Sequence, residues 1–320
     1  MVVLVLMGGS STEREISLKS GEAIARGLAA AGHTVATYDL NPGAGRGALA
    51  LAASRELAGA EVVFLALHGG EGEDGRIQAL LELAGKPYTG SGVRASAICM
   101  DKAATKIILG YHGVATPAWA YLVADGAVAW PRDRAVAALG LPVVVKPVDQ
   151  GSSIGLTIAQ GEDEIGPAVS LALRYSRGVV FEKYIAGREL SVPIVGEEVY
   201  PIVEIKPKQG FYDYQRKYTK GMTDYQCPAA IDAGLSASIQ ADSLKAYAAC
   251  GCEGFARVDF RLGPDGVAYC LEINTIPGMT ETSLVPMGAR ARGVTFEQVV
   301  DRIAAHGFKR GVPAQPGIGG

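Results

Sequence analysis

The sequence predicts a mixed α/β and α+β protein, with a small doubly wound parallel domain followed by lobes of less regular order. Three observations predict it. Apolar runs at Val2 to Leu6, Thr34 to Tyr38 and Val62 to Leu67 alternate with helical stretches, the order that builds a parallel sheet with crossover helices. Further strand-like runs after residue 115 lack that alternation. Near the end of the chain, Asp265-Gly266 separates two alternating apolar runs, a strong signal for an antiparallel hairpin.

After the first strand, Ile16, Ala23, Ile24, Leu28 and Ala31 recur at helical spacing. The Gly-rich stretch Asn41 to Arg46 reads as loop, and the Ala/Leu-rich stretch Ala48 to Leu57 as a helix covering the sheet. A second unit starts near Cys99. It has a helix from Asp101, strands at Ala118 to Val123 and Leu141 to Lys146, a turn at Gly151 to Gly155, and strands to Glu182. Beyond Gly187 come more strands, a long loop from Pro207 to Ala230, a helix from Leu235 to Cys250, the hairpin, and an amphipathic helix from Thr295 to His306. The expected units are residues 1–98, 99–185 and 186–308, the last carrying a lid at 207–230 and the hairpin at 255–274. Residues 309–320 are Pro/Gly-rich and predicted to be disordered.

A chain of 320 residues, 48% hydrophobic and 20% charged, has the size and composition of a soluble protein of two or three domains. Net charge is −3 without a basic cluster, which argues against nucleic acid as a partner. The apolar start MVVLVLM has no basic leader and stops at Gly8-Gly9, and no later run approaches a membrane span, so a cytoplasmic protein is expected. The five cysteines form no CxxC pair and read as reduced, structural residues.

The hairpin carries the most chemistry. If Asp265-Gly266 forms a two-residue type I′ turn, Pro264 faces Val267, Asp259 faces Glu272 and Arg257 faces Asn274, all four on one face. Val258 and Phe260 point the other way. Opposed carboxylates with Cβ atoms about 5 Å apart repel unless a cation lies between them. An oxygen-only donor set suits Mg²⁺ or Mn²⁺, and Mg²⁺ completes its shell with substrate phosphates. The competing reading is a solvated polar face at a sheet edge.

Other candidates are weaker alone. Glu13 follows the Gly8-Gly9-Ser10-Ser11 loop, where it can hold a substrate ammonium or favour the helix dipole; the local sequence favours the dipole. His68 opens a flexible acidic loop ending at Gly75, where Asp74 can cap the next helix. Lys102 in a first helical turn and Lys146 at the end of a buried strand suit phosphate, or snorkel to the surface. The loop with Ser152 and Ser153 can lay N–H groups over phosphate oxygens. Glu182, Lys183 and Ile185, with Glu189 beyond, can meet an adenine edge and ribose, or simply end a strand. The loop after Pro207 is rich in Tyr, Lys and Arg and reads as a lid that excludes water.

Together, GGSSTEREIS (Gly8 to Ser17), HGGEGEDG (His68 to Gly75), PYTGSG, MDK, VVVKPVDQGSSIG, EKYIAGRE, YDYQRKY (Tyr212 to Tyr218), RVD, EINTIPGMT and SLVP resemble the D-alanine:D-alanine ligase family of the ATP-grasp superfamily, over Val3 to His306. The resemblance implies an ATP-grasp fold in which two lobes clamp ATP as co-substrate. It implies that Lys102, Lys146, Ser153 and Lys217 bind ATP phosphates, that Glu182, Lys183 and Ile185 meet adenine, and that Glu189 binds ribose. Asp259, Glu272 and Asn274 are then ligands of two Mg²⁺ or Mn²⁺ ions. Glu13 becomes the ligand of the first D-alanine ammonium, networked with Ser152 and Tyr218 and close to His68, which reverses the local preference. Arg257 and the N–H of Gly278 are implied to hold the tetrahedral oxyanion, and Ser283 and Leu284 the carboxylate of the second D-alanine. A homodimer is also implied. Gly70 stands where relatives often have Arg, and Glu281-Thr282 lies at a variable position; neither removes an implied ligand. The rivals are a ligase using D-serine or D-lactate, which the Tyr-containing lid disfavours in the case of D-lactate, another carboxylate-amine ligase of the superfamily, and a silent nucleotide binder.

Overall fold

The computed structural model describes residues 1–123, 137–208, 222–280 and 282–311. The first unit runs β1 (Val2–Gly8), α1 (Arg14–Ala30), β2 (Thr34–Leu40), α2 (Ala48–Ala52), α3 (Arg55–Gly59), β3 (Val62–Leu65) and α4 (Arg76–Leu83). Its sheet is parallel, in the order β2-β1-β3. Central β1 is covered on both faces, with Val3, Leu4, Val5 and Leu6 each 0% exposed, as a continuous apolar run requires. The single helix predicted from Ala48 to Leu57 is two. Ser54 breaks it by accepting the N–H of Leu57 at 3.1 Å, an N-cap that starts α3.

Next come α5 (Val93–Met100), α6 (Lys102–Tyr111), β4 (Trp119–Val123), β5 (Val143–Pro147), β6 (Thr157–Ala159), α7 (Glu162–Ala172) and β7 (Gly178–Lys183). These strands form an antiparallel sheet in the order β4-β7-β5-β6, with a core of its own against α7. Asp101 ends α5 and caps α6, accepting the N–H of Ala104 at 2.9 Å.

The largest sheet contains β8 (Arg188–Val195), β9 (Glu198–Val199), β10 (Val203–Pro207), β11 (Thr223–Gln226), β12 (Phe255–Leu262) and β13 (Ala268–Asn274), with α8 (Ala233–Ala249) packed on it. Its order is β11-β10-β8-β12-β13, with β9 beside β8. The long loop predicted from Pro207 to Ala230 is partly strand, since β10 and β11 pair antiparallel. Its centre, with Lys217 and Tyr218, lies outside the described residues, as do Glu281 and residues 312–320.

The hairpin register holds where the chemistry is: Asp259 pairs with Glu272 and Arg257 with Asn274. The turn is different. Gly263 N–H bonds to Val267 O at 2.9 Å and Gly266 N–H to Gly263 O at 3.1 Å, so the loop has three residues. Only Gly266 in it takes a positive φ, +78°, the position a three-residue hairpin reserves for glycine. A bulge at Leu271 then offsets the extra loop residue, because Phe260 pairs with Cys270 while Asp259 pairs with Glu272. Val258 and Phe260 are both fully buried on the opposite face.

The final helices, α9 (Leu284–Ala291) and α10 (Phe296–Arg310), go back to the start of the chain. α10 packs on α1 and β3, and Val299, Val300, Ile303 and Ala304 share one core with Val3 to Leu6. The last helix, in the third unit by sequence, therefore shares the core of the first. All five cysteines are free thiols, and Cys99 Sγ lies 3.5 Å from Cys252 Sγ inside the core. No helix of the described residues is long and apolar enough to cross a membrane.

Candidate active site

Both antiparallel sheets contribute to a cavity of about 690 Å³, lined from β5, β8, β10, β11, β12 and β13, the turn after β5, the start of α6 and the segment leading into α9, and closed by α1 and the loop after β3 from the first unit. Of the residues predicted from sequence, Glu13, His68, Lys102, Lys146, Ser152, Ser153, Glu189, Arg257, Asp259, Glu272, Asn274, Gly278, Ser283 and Leu284 line it.

One wall is the hairpin face. Arg257 donates from Nε and Nη2 to Asp259, at 2.9 and 2.7 Å, and Ser191 Oγ donates to Asp259 Oδ1 at 2.7 Å. Lys102 Nζ sits 3.4 Å from Glu272 and donates to Gln150 O at 2.6 Å. Basic groups thus balance both carboxylates in the structure. Among the described residues no group of three or more His, Cys, Asp or Glu converges on one point. Two carboxylates and one amide oxygen fit a hard cation that draws its remaining ligands from phosphate and water, and do not form an all-protein cage.

A second wall carries Glu13. It precedes α1, yet its carboxylate makes no capping bond to the helix. Instead the Ser152 hydroxyl donates to Glu13 Oε1. Room for this carboxylate comes from small neighbours: a Cβ on Gly151 would lie 3.2 Å from Glu13 Oε2. Ser152 and Ser153 both take positive φ, 50° and 58°, a costly conformation for serine that clusters at functional loops. Asp74 accepts from Arg76 N at 3.0 Å but is not the cap of α4, a position Gly75 takes.

Behind β5 lies a buried ion group. Glu182 Oε1 is 2.8 Å from Lys146 Nζ and 3.0 Å from Lys106 Nζ, and Lys106 also donates to Thr116 Oγ1 at 2.7 Å. Burial lowers the Lys106 pKa below the usual lysine range, and the Glu182 charge only partly offsets it. Burial would raise the Glu182 carboxyl, but the two ammonium groups outweigh it and hold it below the ordinary value. Two cations on one carboxylate leave an excess positive charge, and Lys146 directs it at the cavity.

The structure does not bring Glu182, Lys183 and Ile185 into this lining. The Glu182 side chain is 3% exposed and serves as counter-ion to two lysines, while Lys183 is exposed. Sequence reasoning missed Lys106, Ser191 and Leu271. Lys106 follows Lys102 by one helical turn in an otherwise apolar run, the one signal that was available. Leu271 reaches the cavity next to Glu272 because the bulge turns both toward it.

This fold has solved counterparts. Two structures of D-alanine–D-alanine ligase from Bacillus anthracis, one of them complexed with ATP, superpose with a TM-score of 0.84 at 32% and 34% identity, each covering 97% of this chain and 98% of the other. The architecture is accordingly that of an ATP-grasp enzyme. Family models described as D-ala D-ala ligase C-terminus and N-terminus match residues 108–305 and 43–91. The D-alanine–D-alanine ligase of Syntrophotalea carbinolica is 46% identical over 305 residues, 95% of each chain, and that of Moorella thermoacetica 45% over 309 residues, 95% of this chain and 98% of its own. This chain belongs to the D-alanine–D-alanine ligase family.

Proposed function

We propose that this enzyme joins two D-alanines into D-alanyl-D-alanine with cleavage of ATP to ADP and phosphate, for peptidoglycan precursor synthesis in the cytoplasm. The observation that carries the reading is the pairing of a buried Glu13, bonded to Ser152 rather than to its helix, with an oxygen-donor face on the far wall of the same cavity. A zwitterionic amino acid needs the first, and a nucleotide polyphosphate the second.

In this reading Glu13 holds the ammonium of the first D-alanine, with Ser152 and the Tyr218 hydroxyl keeping that carboxylate in place and His68 beside it. The D-alanine carboxylate attacks the γ-phosphate of ATP, giving a D-alanyl phosphate and ADP. Lys102, Lys146 and Lys217 neutralise charge on the phosphates, with Ser153 in the loop that covers them, and Glu189 binds the ribose. Glu182, Lys183 and Ile185 are the candidate adenine contacts. The backbone of the last two can serve adenine without their side chains lining the cavity. Asp259, Glu272 and Asn274 would hold two Mg²⁺ or Mn²⁺ ions, which supply Lewis-acid stabilisation of phosphoryl oxygens.

The second D-alanine then attacks the acyl carbon with its amine, and phosphate leaves. Arg257 and the N–H of Gly278 stabilise the oxyanion. Ser283 and the N–H of Leu284 hold the carboxylate of the incoming D-alanine. The active form is a homodimer.

The test is phosphate release from ATP and Mg²⁺ with D-alanine, L-alanine, D-serine or D-lactate, with products identified by mass. Release that requires D-alanine and yields D-alanyl-D-alanine is the expected outcome. ATP binding with no release for any of them would overturn the reading.

A further inference from the structure

The loop between β13 and α9 contains Gly278, and a residue outside the cavity holds it. Ser20, on α1, is 0% exposed and does not line the cavity. Its Oγ lies 3.0 Å from His68 Nε2 and accepts the N–H of Met279 at 3.3 Å. On the other side of the ring, His68 Nδ1 is 3.1 Å from Ile276 O.

The carbonyl of Ile276 fixes one direction, on the side of the ring where Glu73 Oε1 lies 3.7 Å from Nδ1. A carbonyl oxygen only accepts, so Nδ1 carries the proton; in a neutral imidazole Nε2 is then an acceptor, and the Ser20 hydroxyl donates to it. The Ser20 oxygen keeps a lone pair for Met279 N–H. His68 and Ser20 together therefore pin the loop on both sides of Pro277-Gly278. Ile276 N–H also donates to Asn274 Oδ1 at 3.0 Å, which ties the start of the loop to the hairpin face.

We propose that Ser20 is a positioning residue for the condensation step: through His68 and the N–H of Met279 it fixes the segment that presents Gly278 to the second substrate. This rests on the reading of Gly278 and His68 given above. Without the hydroxyl, His68 Nε2 and Met279 N–H are both buried and lose a partner, which frees the ring to turn and the loop to shift. Contacts of ATP with Lys102 and Lys146 do not depend on this chain of bonds.

The test compares Ser20→Ala, Ser20→Cys, His68→Gln and the Ser20→Ala/His68→Gln pair in the full-length enzyme, with melting temperature measured for each. Ser20→Ala is expected to lower kcat/KM for the second D-alanine about tenfold while KM for ATP stays within about twofold. Ser20→Cys, which keeps a weak donor in nearly the same volume, recovers part of the loss. In the His68→Gln background the alanine change adds less than about twofold, because the two residues act as one unit. Parallel loss of ATP and D-alanine saturation, multiplicative losses in the pair, or unchanged kinetics in Ser20→Ala would each overturn the inference. Wild-type enzyme that releases no phosphate in response to D-alanine removes the underlying reading instead, so the two failures are told apart.

Discussion

Replacing Glu182 by Gln tests the buried ion group directly. The change leaves Lys106, with its side chain 0% exposed, and Lys146, 9% exposed, without the carboxylate they share. Removing one partner of a buried ion pair costs about 3–5 kcal/mol. Lys106 also sets a ceiling, because it can lose its proton: bringing a lysine of ordinary pKa to neutrality at pH 7 costs about 5 kcal/mol at 1.36 kcal/mol per unit. A loss of about 4 kcal/mol is thus expected, lowering the melting temperature on the order of 10 °C. The sign of the pH dependence follows. In the variant the folded Lys106 binds its proton less tightly than the unfolded chain does, so stability rises with pH between neutrality and the unfolded lysine range. Adding Lys106→Met should restore part of the stability. Urea unfolding without nucleotide, from pH 7 to 9.5, measures all three. A loss under about 1 kcal/mol, a flat pH profile, or a double variant no more stable than Glu182→Gln would refute the reasoning.

Other outcomes follow from the same geometry. Glu272→Gln removes one carboxylate of the hairpin face; the Mg²⁺ needed for half-maximal phosphate release should rise about tenfold or more with the fold intact by circular dichroism. Gly151→Ala puts a methyl 3.2 Å from Glu13 Oε2, so KM for the first D-alanine should rise about tenfold in initial-rate assays while KM for ATP holds. Glu204 is held below its ordinary 4.5, chiefly by the Arg188 guanidinium that donates to both its oxygens. Its stabilisation is present above 4.5 and is lost as pH falls through the lowered value. Acid titration of the Glu204→Gln variant should show a shallower loss of stability below pH 4.5 than wild type.

The parts of the fold legible in the sequence are those set by local pattern. Alternation and the Asp-Gly turn are enough to oppose Asp259 to Glu272, although only because a longer loop and a bulge at Leu271, which period-two counting cannot see, offset each other. Glu13 was not legible from local chemistry. An acid before a helix is ordinarily read against the dipole, and only Ser152, far along the chain, shows that it faces a cavity. Motif resemblance supplied that reading, but it says nothing about Lys106 or Ser20, whose tasks depend on which distant groups meet them. Nor does periodicity reveal that α10 belongs with α1: an amphipathic stripe states that a partner exists and leaves its identity open.

The return of the last helix to the first sheet bears on how the protein is made. Strand β1 leaves the ribosome long before Val299 to Ala304, whose side chains close its core. His33, at the entry to β2, is tied to Asp301 at 2.8 Å, another pairing of chain start with chain end. The amino-terminal sheet, complete once β3 ends at Leu65, must therefore wait, incompletely covered, while some 235 residues are synthesised. At about 5–20 residues per second that wait is on the order of 10–50 s, a period in which chaperones have access to apolar strands. An interrupted chain ending before α10 would lack the cover of the sheet at its beginning, and quality control would meet the damage at the opposite end from the lesion.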